Sequence, residues 1–322
     1  DGWIAEVLSG DVADRERDGV PRVTAEKIVV DFSSPNIAKQ MHVGHLRSTI
    51  IGDAIVRVLR FAGHEVIGDN HLGDWGTQFG LLLAGMRQWG SSEALEREPI
   101  SELERVYKLA SERAGEDEAF AARSRAELAK LQAGDPDNRA LWQSFVATSK
   151  HALETVYQRL GVTFDTWLGE SAYHDALPGV VALLLERGIA RQDQGAVCIF
   201  WQDVEGAPDK LCKQKEPFII QKSDGAYLYA TSDIATVLHR QREFAAQRAV
   251  YVVDARQGLH FEQLFAAVAA LGIDMALVHV GFGMVLGTDG RPLRTRDASG
   301  KVTTRASLLD EAEERAAARI GE

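Results

Sequence analysis

Two histidines three positions apart, His42 and His45 in the run His42-Val43-Gly44-His45, have the residue types and the placement to handle a phosphate chain. They follow a short apolar run and a proline-containing loop, and they stand where the next helix begins. A helix N-terminus presents backbone N–H groups without intrahelical partners and a partial positive charge, so an anion can rest there. Gly44 leaves room for close approach, and two imidazoles can donate to phosphate oxygens as charge builds in a transition state. The spacing by itself also suits a surface pair or a metal pair, but no nearby third ligand completes a metal set. Phosphate handling is the reading that the context favours.

Two further stretches carry candidate chemistry. Gly73-Asp74-Trp75-Gly76-Thr77-Gln78-Phe79-Gly80 closes the second strand, where glycines permit the backbone to approach a flat ligand; a turn around a buried tryptophan is the plainer alternative. Residues 287–297 form a glycine-rich basic segment whose Arg291, Arg294 and Arg296 could clamp phosphates bidentately, against the alternative of a solvated loop. The run from Gly281 to Gly287 is not a dinucleotide fingerprint, because Leu286 stands at its sixth position and a turn follows it. A nicotinamide dehydrogenase is therefore not expected, and no Gly-x-x-x-x-Gly-Lys-Ser/Thr loop occurs.

The elements that must position these residues follow from periodicity. Lys27-Ile28-Val29-Val30-Asp31-Phe32 reads as a buried strand. Leu46, Ile50, Ile51, Ala54, Ile55, Val58 and Leu59 recur at three- and four-residue steps, predicting a helix that Gly63 stops. Residues 64–68 predict a second strand, completing one parallel βαβ unit with a right-handed crossover. Residues 91–160 are helical in character, broken at Gly134-Asp135-Pro136, and predict an inserted module. Residues 196–201 and 218–221 read as strands, with a turn at 223–226, giving a small antiparallel patch. The α/β rhythm returns with a strand at 249–254, a helix at 261–271 and a strand at 276–280. The predicted fold class is α/β: a Rossmann-like doubly wound parallel sheet split by a helical and small β insertion. Its ligands are expected at the carboxyl ends of the strands, where strand order reverses.

Composition bounds the function. With 322 residues, 45% hydrophobic and 26% charged, the chain is long enough for two domains or for one with an insertion, and it is neither disordered, collagenous nor coiled-coil. Lys plus Arg number 36 against 47 Asp plus Glu, a formal charge of −11, which excludes a general nucleic-acid coat and leaves nucleic acid only a local basic face. The mixed-sign stretches at 11–17 and 311–319 read as solvated helix faces. No apolar run suits a membrane span, and Cys198 and Cys212 fit neither a disulfide framework nor a cysteine zinc site. A monomer in the reducing cytoplasm, without a membrane partner, is expected.

In order, these pieces resemble a class I aminoacyl-tRNA synthetase. More narrowly, the stretch from Asp31 to Thr49, the run from Gly73 to Gly80, and Tyr229-Ala230-Thr231-Ser232-Asp233 are similar to arginyl-tRNA synthetase, with the match running from about residue 27 to the end. The resemblance implies ATP-dependent activation of L-arginine, as Mg²⁺-ATP, and transfer of the arginyl group to tRNA(Arg). It implies that His42, Gly44, His45 and Thr295 hold ATP, and that Arg294 and Arg296 act in a loop closing over pyrophosphate. Leu293-Arg294-Thr295-Arg296 stands where the usual signature has Lys-Met-Ser-Lys, and Lys39 resembles the lysine thought to compensate. Asp31, Tyr229 and Asp233 match positions around the guanidinium, and Asn36, Gln257 and Ser34 match positions near the α-amino group. No resident metal site is implied. The implied organisation is a linker at 1–24 from an N-terminal domain, a first catalytic half at 25–90, the insertion at 91–230 and a second half at 231–322 with the signature loop. The resemblance leads one to expect that the family's anticodon-binding domain is absent from this stretch and that this catalytic core alone charges tRNA weakly. The competing reading is a non-catalytic paralogue that senses arginine or binds a partner.

Overall fold

The computed structural model describes residues 23–39, 41, 43–284 and 305–320. The linker expected over 1–24 thus lies outside the described residues apart from Val23 and Thr24.

Ile28, Val29 and Val30 are buried, as befits a central strand covered on both faces. This strand, β1 (Lys27–Asp31), is followed by α1 (Val43–Ala62) and β2 (Glu65–Asp69), and it pairs in parallel with β2 on one side. On its other side it pairs in parallel with β6 (Arg248–Asp254), which leads through α10 (Gly258–Ala270) to β7 (Ala276–Phe282). The sheet order is β2-β1-β6-β7, so the chain winds outward in opposite directions from the β1/β6 junction. That junction is the switch point, and the crevice for a ligand lies at the carboxyl ends of these two strands.

Alternation along the strands divides the core between two faces. Val29, Ala249 and Tyr251 join a cluster with α7 (Leu177–Glu186), α9 (Tyr229–Arg242), α10 and the small antiparallel sheet. Ile28, Val30, Val250 and Val252 join Val56 of α1 and the helical insertion on the opposite face. The small antiparallel sheet has the order β3 (Arg191–Asp193), β4 (Ala196–Ile199), β5 (Phe218–Gln221), of which β4 and β5 are the apolar runs predicted.

α2 (Thr77–Trp89) leads into the segment expected as an insertion from residue 91, which holds α3 (Ser92–Arg97), α4 (Pro99–Glu116), α5 (Glu118–Gln132) and α6 (Pro136–Leu160). Its predicted break falls between α5 and α6. There the Asp135 side chain accepts from the Asn138 N–H at 3.0 Å and Pro136 opens the next helix. A short helix α8 (Asp209–Cys212) precedes β5, and α11 (Arg305–Ile320) reaches α6 through an Arg159–Glu313 ion pair of 2.8 Å.

Candidate active site

A cavity of about 580 Å³ opens at the β1/β6 switch point. Its floor comes from the strand ends, with Asp31 closing β1, Ser33 and Ser34 after it, and Val252, Val253 and Asp254 from β6. Its walls come from the starts of three helices: Gly44 and His45 of α1, Tyr229 and Asp233 of α9, and His260 of α10 after Gln257. Asn36, Glu170 and His71 also line it. Asp31, Ser34, Asn36, Gly44, His45, Tyr229, Asp233 and Gln257 therefore meet in one place, though up to about two hundred residues of chain separate them.

The loop after β1 is held in unusual backbone conformations. Ser33 and Ser34 have φ of 71° and 45°, the left-handed region that costs a residue with a side chain. Hydrogen bonds over-determine that geometry: the Ser33 N–H donates to Ser48 Oγ at 2.8 Å, and Ser33 Oγ lies 2.6 Å from the Tyr157 hydroxyl. The Ser34 N–H donates to Asn70 Oδ1 at 3.2 Å and its Oγ donates to Asp31 Oδ1 at 2.8 Å.

Gly73 to Gly80 divides into three tasks. A Cβ on Gly73 would collide with Asn36, whose loop it receives through hydrogen bonds from Ile37 N–H to Gly73 O at 3.1 Å and from Gly73 N–H to Pro35 O at 3.1 Å. The buried Asp74 accepts from the Ser171 N–H at 2.8 Å and from its hydroxyl at 2.6 Å, fixing the short 3₁₀ segment Glu170–Ala176. Gly80 lies in α2 against the Ser124 backbone of α5, where a side chain has no room. Trp75 is half-buried, stands edge-on to Trp142 with ring centroids 5.5 Å apart, and donates to His174 at 3.1 Å.

Charge is distributed unevenly around the cavity. At one end, burial pushes the Glu170 carboxyl up to about 8, with Asp233 and Asp74 adding to the effect. Partial desolvation also raises the Tyr229 phenol, although the residue is 66% exposed, and Glu170 and Asp233, which line the same cavity, add to the effect. Asp233 meets His260 Nε2 at 2.5 Å, linking the starts of α9 and α10. On the rim, Arg256 holds Asp254 with two hydrogen bonds, 2.9 and 2.8 Å, and keeps its carboxyl below the usual range. Two carboxyl groups and a phenol thus line a cavity where they suit a cation with several donors, and Gly44 and His45 line it from a helix N-terminus that suits an anion.

Other expected residues have different positions. Lys39 does not line the cavity; its Nζ lies 4.9 Å from the Tyr107 ring centroid, over the helical insertion. His42, Arg294, Thr295 and Arg296 lie outside the described residues. Glu170, His71 and His260 were not anticipated. Glu170 stands in no motif of its own, and the only hint of it is the Asp74 anchor, whose partner Ser171 lies 97 residues away.

Asp31, Asp69 and His71 place ligand atoms within 4.8 Å of one another, a spacing a metal could use. Both carboxylates, however, accept from Arg240 Nη2, at 2.6 and 2.7 Å, and that arrangement suits a guanidinium and not Mg²⁺.

A family model described as tRNA synthetases class I (R), catalytic domain, matches residues 8–322. The arginine–tRNA ligase of Idiomarina loihiensis is 50% identical over 299 residues, covering 91% of this chain and 50% of the relative. That of Azotobacter vinelandii is 48% identical over 303 residues, 92% of this chain and 50% of the relative. Among solved structures, arginyl-tRNA synthetase from Plasmodium falciparum superposes with a TM-score of 0.73 at 31% identity, over 94% of this chain and 48% of that one. The Thermus thermophilus arginyl-tRNA synthetase gives 0.73 at 23% identity, over 94% and 54%, a likeness of fold alone. The chain spans about half the length of the curated relatives it matches.

Proposed function

Because the chain belongs to the class I tRNA synthetase family, as its arginine-type catalytic domain, we propose that its cavity activates L-arginine with ATP and passes the arginyl group to tRNA(Arg). The observation that carries this reading is the mixed lining of the cavity, which joins a helix start bearing Gly44 and His45 with the group Glu170, Asp233 and Tyr229.

In this reading the guanidinium of arginine lies against Asp233, Glu170 and Tyr229. A planar fork spreads five donors over two carboxylates and a phenol, whereas an ammonium offers three from a single point, so lysine is disfavoured on geometry as well as reach. Asp31 borders the same space. Asn36, Ser34 and Gln257 serve the α-amino end, bringing the substrate carboxylate toward the start of α1. ATP lies there with its phosphates on the N–H groups about Gly44 and on His45 and His42, and the Mg²⁺ of the nucleotide belongs to that substrate. The carboxylate oxygen attacks the α-phosphorus, the bond to the bridging oxygen breaks, and pyrophosphate leaves. Holding the two reactants in line and stabilising the phosphoryl charge supply most of the acceleration. Arg294, Thr295 and Arg296 are proposed to close over the departing pyrophosphate, and Lys39 to assist from the helical side by leaving Tyr107.

The chain acts as a monomer in the cytoplasm in this account, and no helix among the described residues is long and apolar enough to cross a membrane. The test is arginine-dependent exchange of pyrophosphate into ATP by the full product of the gene, with tRNA present. Exchange that requires L-arginine and vanishes in His45→Ala supports the proposal. Absence of exchange overturns it in favour of an arginine-sensing paralogue.

A further inference from the structure

Asp31 and Asp69 are register partners at the carboxyl ends of β1 and β2, and both are buried. Side by side in neighbouring parallel strands, the two carboxylates repel each other unless a cation lies between them. That cation is Arg240, which has no exposed surface. Its Nη2 donates to Asp31 Oδ2 at 2.6 Å and to Asp69 Oδ2 at 2.7 Å. The remaining oxygens are also engaged, Asp31 Oδ1 by the Ser34 hydroxyl at 2.8 Å and Asp69 Oδ1 by the Thr166 hydroxyl at 2.7 Å. The guanidinium carbon stands 5.3 Å from the ring centroid of Tyr251, which is itself part of the cavity wall.

Arg240 is not among the residues lining the cavity, yet it touches two that are, Asp31 and Tyr251. It also sits on α9, the helix that carries Tyr229 and Asp233. Seven residues, close to two helical turns, separate it from Asp233, so one rigid rod joins the guanidinium-facing acid to the grip on β1 and β2. A buried ion trio is weak evidence for stability, since well-packed apolar side chains can replace one at little cost. Its location under a polar cavity, where it sets the direction of one lining carboxylate and the seat of two other lining residues, fits a task in the site.

We propose that Arg240 is a positioning residue for arginine recognition: it neutralises and aims Asp31 from below and anchors α9 so that Asp233 and Tyr229 face Asp31 across the cavity. This inference rests on the proposed arginine site and deepens it. The structure thereby uses an arginine of its own to organise the pocket for a free one.

The test is titration calorimetry of L-arginine and, separately, of ATP on the wild-type chain and on Arg240→Met, Arg240→Lys and Asp69→Asn, each checked for fold by circular dichroism. Arg240→Met is expected to weaken L-arginine by about thirtyfold while ATP stays within about twofold, with Arg240→Lys between the two. A merely structural role would lower the melting temperature and leave the affinity of the folded fraction intact. A folded Arg240→Met that binds L-arginine within about twofold of wild type overturns the proposal. If that variant does not fold, Asp69→Asn decides, because Asp69 lies outside the cavity lining: about fivefold weaker binding supports positioning, and unchanged binding overturns it. Wild-type chain that binds no L-arginine would instead remove the site reading on which the inference stands.

Discussion

Glu170 enters the cavity as a neutral acid at ordinary pH, because burial and two acidic neighbours push its carboxyl up to about 8. A guanidinium arriving beside it favours the carboxylate, so the proton must leave when the ligand binds. The sign follows from linkage: below about pH 8 the free site holds the proton, and affinity falls as pH falls, by up to about tenfold per unit. L-Arginine affinity measured by calorimetry is therefore expected to rise between about pH 6 and pH 8, with proton release seen as a buffer-dependent enthalpy. Glu170→Gln should flatten that slope. The same shift acts on stability with a definite direction. Glu170 holds its proton more tightly folded than unfolded, so the stability it contributes is present below its ordinary value of 4.5 and is lost as pH rises toward about 8. Glu170→Gln should accordingly melt above wild type at about pH 8 and alongside it at about pH 4, followed by scanning calorimetry.

At this scale the sequence is legible only where residues share a motif. Asp31, Ser34 and Asn36 belong to one loop and were found together, and Tyr229 with Asp233 likewise. Glu170 sits in a 3₁₀ segment whose neighbours have no motif, so its proximity to Asp233 exists only through tertiary packing. Arg240 reads as one more charge on an amphipathic helix, and only the register of Asp31 with Asp69 reveals why it is buried.

Elements decide which of two similar residues matters to the site. Gly73 and Gly80 belong to one glycine-rich run, yet the first receives the Asn36 loop and the second lets α2 lie against α5. Gly73→Ala is expected to displace Asn36 and weaken L-arginine by about tenfold, with a small change in melting temperature. Gly80→Ala is expected to cost about 1 to 3 kcal/mol of stability through overpacking, read by urea unfolding, while the folded fraction keeps its arginine affinity. The reverse pattern would contradict the division of tasks. From sequence the run offered a choice between a ligand loop and a turn around Trp75, and folding distributes it between a loop and the first turn of α2. Short apolar runs located β1, β2, β6 and β7, and a 3.6-residue period located α1; β1 and β6 are largely buried, whereas β7 is at most half-buried. The short β3 has two exposed residues and one half-buried residue, and no such pattern announces it.

Across the whole molecule, two chain segments that wind in opposite directions from β1 and β6 create one crevice, and the insertions between them supply what the sheet alone cannot. The small sheet and α9 bring Tyr229 and Asp233, the 3₁₀ segment brings Glu170, and Tyr107 of the helical module takes Lys39 of the β1–α1 loop over its ring. This arrangement explains why the alternation of α and β elements suffices to foresee the crevice but not the residues lining its acidic end. One cavity lined both by a helix start and by acidic side chains is the central feature, and the proposed function reads it as an anion site beside a site for a planar cation.

The most direct measurement is calorimetric titration of the wild-type chain and Asp233→Asn with L-arginine and with L-citrulline, which keeps the shape of the guanidinium group and lacks its charge. The account predicts that wild type binds L-arginine at least about a hundredfold more tightly than L-citrulline, and that Asp233→Asn removes most of that difference. Equal binding of the two ligands by wild type, or a preference that survives Asp233→Asn, would contradict it.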